Sequence, residues 1–285
     1  MEKLTRILAV ADKVEDGAVL LEKAVALARR FGAHIELLLH ESLHAQAFAT
    51  LCSTLHYDEV TLSSMPRGAG PLHEAVLRHA LATHPDLIMK AACGSHPLRR
   101  WTLGESDFRL TSESLSPVLL LRHRAWSNPA RFAAAVDVAD DASAEQARAI
   151  LQTAGFIALG CGAQMDILYS ERERVDERVR MARAVKLARL VREFHVGCER
   201  IELYDGMPES TLPAIATARR YDVLVLGARS HQPARKALFG TTTSQMADAT
   251  EGDVLLVNAP LRELKAARAA FSLGEQRPDE REQLL

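Results

Sequence analysis

Glycines and hydroxyl residues at one fixed spacing are the side chains of this sequence best suited to chemistry. Gly227-Ala-Arg-Ser230 is followed by nine residues and then by Gly240-Thr241-Thr242. Glycine lets a backbone approach an anion closely, and N–H groups at a helix start, joined by hydroxyls, can donate to phosphate oxygens. Asp137, closing an apolar run, could accept hydrogen bonds from an adenine amine or a ribose hydroxyl. Arg229, Arg235 and Lys236 add positive charge around the loop, and His231 reads as an exposed loop side chain. As a pattern, the spacing fits equally an ordinary β-to-α loop that runs into a capped helix.

Other chemistries find less support. Phosphoryl transfer needs a positioned base and acidic magnesium ligands beside the phosphate loop. Asp137 is one carboxylate, and the sequence holds no Gly-x-x-x-x-Gly-Lys-Ser/Thr run. Cys52, Cys93, Cys161 and Cys198 lie far apart, without the spacing of a zinc site or a redox pair. The expectation is therefore a ligand-binding protein without a metal and not a committed enzyme, with slow nucleotide hydrolysis or self-phosphorylation on Thr241, Thr242 or Thr243 left open.

The elements that must position the loop follow from composition and pattern. The 285 residues are 48% hydrophobic, enough to exclude a disordered chain, and the length suits two domains. Thirty-five basic against 37 acidic side chains, a net charge of −2, argue against a nucleic-acid partner. No apolar run approaches the ~20 residues of a membrane span, and the apolar stretch at the start is too short for a signal peptide. A cytoplasmic location is expected.

The sequence repeats itself once. Arg6-Ile-Leu-Ala-Val-Ala-Asp12 returns as Arg131-Phe-Ala-Ala-Ala-Val-Asp137, and Asp86-Leu-Ile-Met89 returns as Asp222-Val-Leu-Val225. The second offset, 136 residues, then continues ungapped through Pro97 and Pro233, Gly104 and Gly240, and Leu119-Leu120 and Leu255-Leu256. Two homologous halves follow, over 1–124 and 130–260, with a charged tail over 261–285 and a linker over 122–129. In the second half, strands are expected at 132–138, 165–169, 200–204, 222–226 and 254–257. Helices are expected at 142–155, 175–194, 208–219 and 244–250. Short apolar strands alternating with helices predict an α/β fold with helices on both faces of a parallel sheet, and ligands at the strand carboxyl ends.

The arrangement Gly-x2-Gly-x9-Gly-Ser/Thr after a fourth strand, with a first strand ending in Val-Asp, resembles the universal stress protein family. The tandem arrangement, with a degenerate first half ending in Ser116-Pro-Val-Leu-Leu-Leu-Arg122, is similar to its UspE-like subgroup. The resemblance implies two doubly wound domains, each a five-stranded parallel sheet of order 3-2-1-4-5. It also implies that the last strands, 118–121 and 254–257, lie antiparallel within one chain as a pseudo-twofold pair, with a homodimer as a further option. Some members of the family bind ATP and others keep the fold without nucleotide. On that resemblance Asp137 would contact the nucleoside, and Gly227, Ser230, Gly240, Thr241 and Thr242 would surround ribose and phosphates. Val138 and Leu226 would complete the site at the strand ends. The implied function is an adenine-nucleotide-binding regulator of the stress response; the alternative is a scaffold acting through its surfaces or another ligand.

The sequence departs from the family pattern at informative places. Ser230 stands where the middle glycine is expected, so a Cβ meets any phosphate there, while its hydroxyl could donate to one. In the first half the equivalent residues are Ala91, Gly94, Gly104 and Glu105, with Asp107 in the same helical turn. Those carboxylates would occupy the place of a phosphate, so ATP is expected in the second half alone. Lys90, matching Leu226, would neutralise Glu105. The run Ser170-Glu-Arg-Glu-Arg-Val-Asp-Glu-Arg178 reads as the solvated start of a helix whose buried stripe is Val175, Ala182, Ala184 and Leu187. Gly160-Cys161-Gly162 reads as a turn, and Trp101 and Trp126 as packing anchors.

Overall fold

The computed structural model describes residues 4–40, 42–43, 45–65, 70–92, 104–194, 197–228 and 241–258. The first half runs β1 (Arg6–Ala11), α1 (Gly17–Phe31), β2 (His34–Leu39), α2 (Ala45–Thr54), β3 (Val60–Ser64), α3 (Leu72–Thr83), β4 (Leu87–Ala91), α4 (Glu105–Glu113) and β5 (Val118–Leu121). The second runs β6 (Arg131–Ala135), α5 (Asp141–Cys161), β7 (Gln164–Glu171), α6 (Glu177–Glu193), β8 (Arg200–Asp205), α7 (Pro208–Ala218), β9 (Val223–Gly227), α8 (Thr241–Ala249) and β10 (Asp253–Val257).

All ten strands form a single sheet, ordered β3-β2-β1-β4-β5-β10-β9-β6-β7-β8. The resemblance implies two five-stranded sheets; in the structure β5 and β10 pair antiparallel, Leu119 opposite Leu255, and join all ten strands into one sheet. The physical reason is edge protection: each strand would otherwise present a row of unpaired backbone groups. Every other neighbouring pair is parallel. Buried side chains divide into two cores. One lies under α1, α2, α5 and α6, and the other under α3, α4, α7 and α8.

Residues related by the 136-residue offset make matching contacts across the β5–β10 seam. Arg122, just past β5, donates through Nη2 to the carbonyls of Ala247 (3.1 Å) and Thr250 (2.8 Å) at the end of α8. Asn258, just past β10, donates through Nδ2 to Thr111 (2.6 Å) and Ser114 (2.8 Å) at the end of α4. Each adds a side-chain donor to carbonyls at a helix end, where the internal ladder of bonds runs out. The repeated aspartates also act alike. Asp86 accepts the backbone N–H groups of Thr5 and Arg6 (2.7 and 3.1 Å), and Asp222 accepts that of Arg131 at 2.8 Å. Each ties the start of its half's first strand to the start of the fourth.

Residues 122–129 are anchored, not a free linker. The Arg122 N–H and the Trp126 indole N–H each donate to Asp253 at 2.6 Å. Arg124 donates to the Tyr221 carbonyl at 2.9 Å and to the Asp222 carboxylate at 3.1 Å. The Trp126 ring meets Phe132 edge-on at 5.9 Å, which makes it a packing anchor; Trp101 and the tail 261–285 lie outside the described residues.

Helix α5 is longer than the sequence pattern suggests, and Gly160 lies within its last turn, while Gly162 caps it at φ +63°. A Cβ on Gly160 would lie 1.9 Å from Phe31 Cζ of α1. Glycine at this position serves the packing of the two halves, where Phe31 also meets Phe156 at 5.2 Å. Gly160→Ala should therefore lower stability by about 1–3 kcal/mol through overpacking, against the ~1 kcal/mol that alanine gains in a helix. In a Phe31→Ala background the same change should become neutral or stabilising. Urea unfolding of the four proteins checks it, and an equal loss in both backgrounds would refute the contact.

Candidate functional site

A cleft of about 460 Å3 opens at the carboxyl ends of β6, β7 and β9. β6 and β9 are neighbours in the sheet, yet their following helices, α5 and α8, cover opposite faces. That divergence leaves a crevice at the topological switch point, the usual ligand position in open α/β sheets.

Asp137 lines the cleft from the loop after β6, where the shorter strand leaves it exposed. Its Oδ1 accepts the Ala139 N–H at 2.8 Å, which fixes the turn into α5. Gly227 ends β9 at the cleft wall. A Cβ there would lie 2.8 Å from Gln146 Cγ, and Gln146 in turn donates to the Val257 carbonyl at 2.7 Å. The close approach that Gly227 permits is thus to a side chain of α5. Helix α8 starts at Thr241, Thr242 lines the cleft, and the Thr243 hydroxyl donates to the Gly227 carbonyl at 3.0 Å. That bond fastens the helix start to the strand end.

Val138 and Leu226 take a different place: both side chains are buried in the two cores and support the cleft from behind. Ser230, Gly240, Arg229, His231, Arg235 and Lys236 lie outside the described residues.

Four further cleft residues, Tyr169, Glu171, Arg172 and Arg183, escaped the sequence pattern. β7 continues through Ser170 and Glu171, both buried, and α6 begins at Glu177, with the Asp176 carboxylate accepting the Val179 N–H at 2.9 Å. The run 170–178 therefore opens inside the protein and is not simply a solvated helix start. The stripe of α6 is Leu187, Leu190 and Val191; Ala182 is exposed, and Val175 lies ahead of the helix against the cleft.

Period-two alternation puts Tyr169 and Glu171 on one face of β7. The Glu171 Oε2 accepts the Tyr169 hydroxyl at 2.9 Å and an N–H of Arg183 from α6. Burial, the bond to Glu171 and the charges of Asp137 and Glu171 push the Tyr169 phenol up, so it stays protonated and donates. Arg172 reaches across the mouth, donating to the Thr242 hydroxyl and standing 3.6 Å from Glu209. The cleft thus carries a buried carboxylate at the end of β7 and threonine hydroxyls at the start of α8.

The corresponding positions of the first half are built differently. Lys90, 0% exposed, lies 3.0 Å from Asp12 and 3.0 Å from Asp107, and donates to the Ala91 carbonyl at 3.1 Å. Glu105 is not its partner: that side chain is exposed and pairs with Arg109 at 3.0 Å, one turn along α4. A salt-linked cluster stands where the second half has Asp137, Leu226 and Thr243.

Residues 134–258 match the universal stress protein family. The matched segment holds every described residue that lines the cleft. No curated protein matches the sequence. Among solved structures, a Pseudomonas aeruginosa UCBPP-PA14 protein assigned to the universal stress proteins is 22% identical, with a TM-score of 0.75 over 93% of this chain and 98% of its own. A universal stress protein of Archaeoglobus fulgidus DSM 4304 is 14% identical, with a TM-score of 0.61 over 90% and 97%. A universal stress protein in complex with cAMP is 23% identical over 45% of this chain and 96% of its own, with a TM-score of 0.36. The two full-length likenesses establish a shared α/β fold. Among the described residues, no helix is long and apolar enough to cross a membrane.

Proposed function

We propose that the chain is a tandem universal stress protein that binds one adenine nucleotide, ATP, in the second half. It acts as a cytoplasmic regulator of the stress response, not as an enzyme. The observation that carries this reading is the cleft at the β6/β9 switch point, where Asp137, Gly227, Thr242 and the start of α8 converge inside the family-matched segment. Its volume falls within the ~300–1,000 Å3 of ordinary small-molecule pockets. The α8 N–H groups, the Thr242 hydroxyl and the Arg172 guanidinium suit phosphate oxygens, and Asp137 suits a ribose or base donor. One nucleotide per chain follows from the Lys90 cluster, which fills the corresponding place in the first half. Regulation and not turnover is the reading because the sequence holds no Gly-x-x-x-x-Gly-Lys-Ser/Thr phosphate loop of the kind used in phosphoryl transfer.

Gentle purification, denaturing release and mass spectrometry test the reading, joined by calorimetric titration with ATP, ADP and AMP. The expected result is about one adenine nucleotide per chain, with a stabilisation of about 2.7 kcal/mol at a hundred times Kd. Thr242→Glu should weaken ATP binding about ten-fold or more by placing a carboxylate in the cleft at the start of α8. No released nucleotide and no thermal shift at millimolar ATP would instead establish the scaffold.

A further inference from the structure

We propose that Glu171 is the residue that selects the nucleoside end of the ligand, accepting an N–H or O–H donor that a bound nucleotide presents. The inference rests on the nucleotide reading above and adds to it a specificity residue. Glu171 closes β7 and is held there by the Gly206 N–H, which donates to its carbonyl at 2.9 Å. Its side chain lines the cleft, yet the residue is only 3% exposed. One carboxylate oxygen, Oε2, is taken by Tyr169 and Arg183. The other, Oε1, is buried and has no hydrogen-bond partner among the described residues. Folded proteins rarely leave such an atom unmet, because a buried group without a partner bears the full cost of losing its water, and more when charged.

The chemistry of the missing partner follows from the surroundings. A carboxylate can only accept, so the partner must donate. Arg183 already balances the charge, so a neutral amine or hydroxyl suffices where an unpaired ion would call for a cation. Position adds the second constraint. In the sheet β6 separates β7 from β9, and two strand spacings put Glu171 about 10 Å from the Gly227 wall. A ligand whose phosphates lie at α8 therefore brings its sugar or base, not a phosphate, to Glu171. Both an exocyclic base amine and a ribose hydroxyl supply the required donor, and analogues separate them.

The test is calorimetric titration of the full-length chain with ATP, ITP, 2′-dATP and 3′-dATP, repeated on Glu171→Gln. ITP replaces the base amine by an oxygen, and each deoxynucleotide removes one hydroxyl. The wild-type chain should disfavour at least one analogue by about ten-fold or more, the usual worth of a hydrogen bond to a charged group. The glutamine amide can still accept from Tyr169 and Arg183 through its oxygen while presenting a donor to the ligand. Glu171→Gln should therefore lose that discrimination, and should turn toward ITP if the base amine is the partner. Equal wild-type affinity for all four nucleotides overturns the inference whether or not the variant folds. Unchanged ratios in a folded Glu171→Gln overturn it too, and in either case the nucleotide reading stands. A wild-type chain that binds none of the four overturns that reading and the inference together.

Discussion

Lys90→Leu is expected to lower the stability of the chain by about 3–5 kcal/mol, the cost of removing one partner from a buried ion cluster. The ammonium lies between Asp12 and Asp107, whose side chains are 12% and 1% exposed, so water can replace it poorly. Leucine has the right bulk for a strand buried on both faces, but it leaves two carboxylates facing each other without the cation that joins them. The second half shows the compatible alternative, with Leu226 at the equivalent position and Thr243 opposite. Lys90→Leu combined with Asp107→Thr should accordingly recover most of the loss, because it copies that arrangement. Urea unfolding of the two single variants and the double variant measures the coupling. A single-variant loss below 1 kcal/mol, or a double-variant loss equal to the sum of the singles, would show that the cluster contributes little. The double variant also shows whether the Lys90 cluster alone excludes nucleotide from the first half. A second equivalent of ATP binding to it would demonstrate that the cluster stands in for the ligand.

Asp253→Ala should cost a similar amount, about 3–5 kcal/mol, at the seam between the two halves. Asp253 begins β10 and accepts Lys23 Nζ of α1 at 2.7 and 2.9 Å, together with the Arg122 and Trp126 N–H groups. Burial pulls the Asp253 carboxyl up and the Lys23 ammonium down, and each is opposed by the charge of the other. Without Asp253, Lys23 keeps the Arg122 carbonyl at 2.7 Å and only the weaker attraction of Asp222 as a counter-charge. Its pKa then falls further below the ordinary 10.5. The unfolded chain binds more protons than the folded one across that interval, so stability rises with pH. The variant should accordingly regain part of its loss as pH climbs toward 10.5, a trend the wild-type pair does not share to the same degree. Asp253→Asn should cost less, since its amide oxygen still accepts the Arg122 N–H. Thermal unfolding between pH 6 and pH 10 reads the difference, and a pH-independent gap between Asp253→Ala and wild type would rule out a charged Lys23 as its cause.

Much of the frame was legible in the residues themselves. Apolar runs of four to six residues between helical stretches are a local property, so the alternation of strands and helices survives folding nearly unchanged. The offset that pairs Asp86 with Asp222 is a matter of sequence order, and both residues hold the first strand of their half in the same way. The cleft lies at the switch point of the strand order that the family resemblance implies, with Asp137 and Gly227 at its wall and Thr242 at its helix start.

Tertiary structure alone decided which charges are buried and with whom. Lys90 has Glu105 as an obvious neighbour in the pattern, yet its partners come from the end of β1 and the first turn of α4. The run 170–178 looks uniformly solvated, but β7 carries Glu171 inward to meet Arg183 from a separate helix. Gly160 reads as a turn until the Phe31 ring is seen lying where its Cβ would be. In each case the deciding energy is desolvation, which depends on what distant segments bring to the same point, and spacing along the chain carries no record of that.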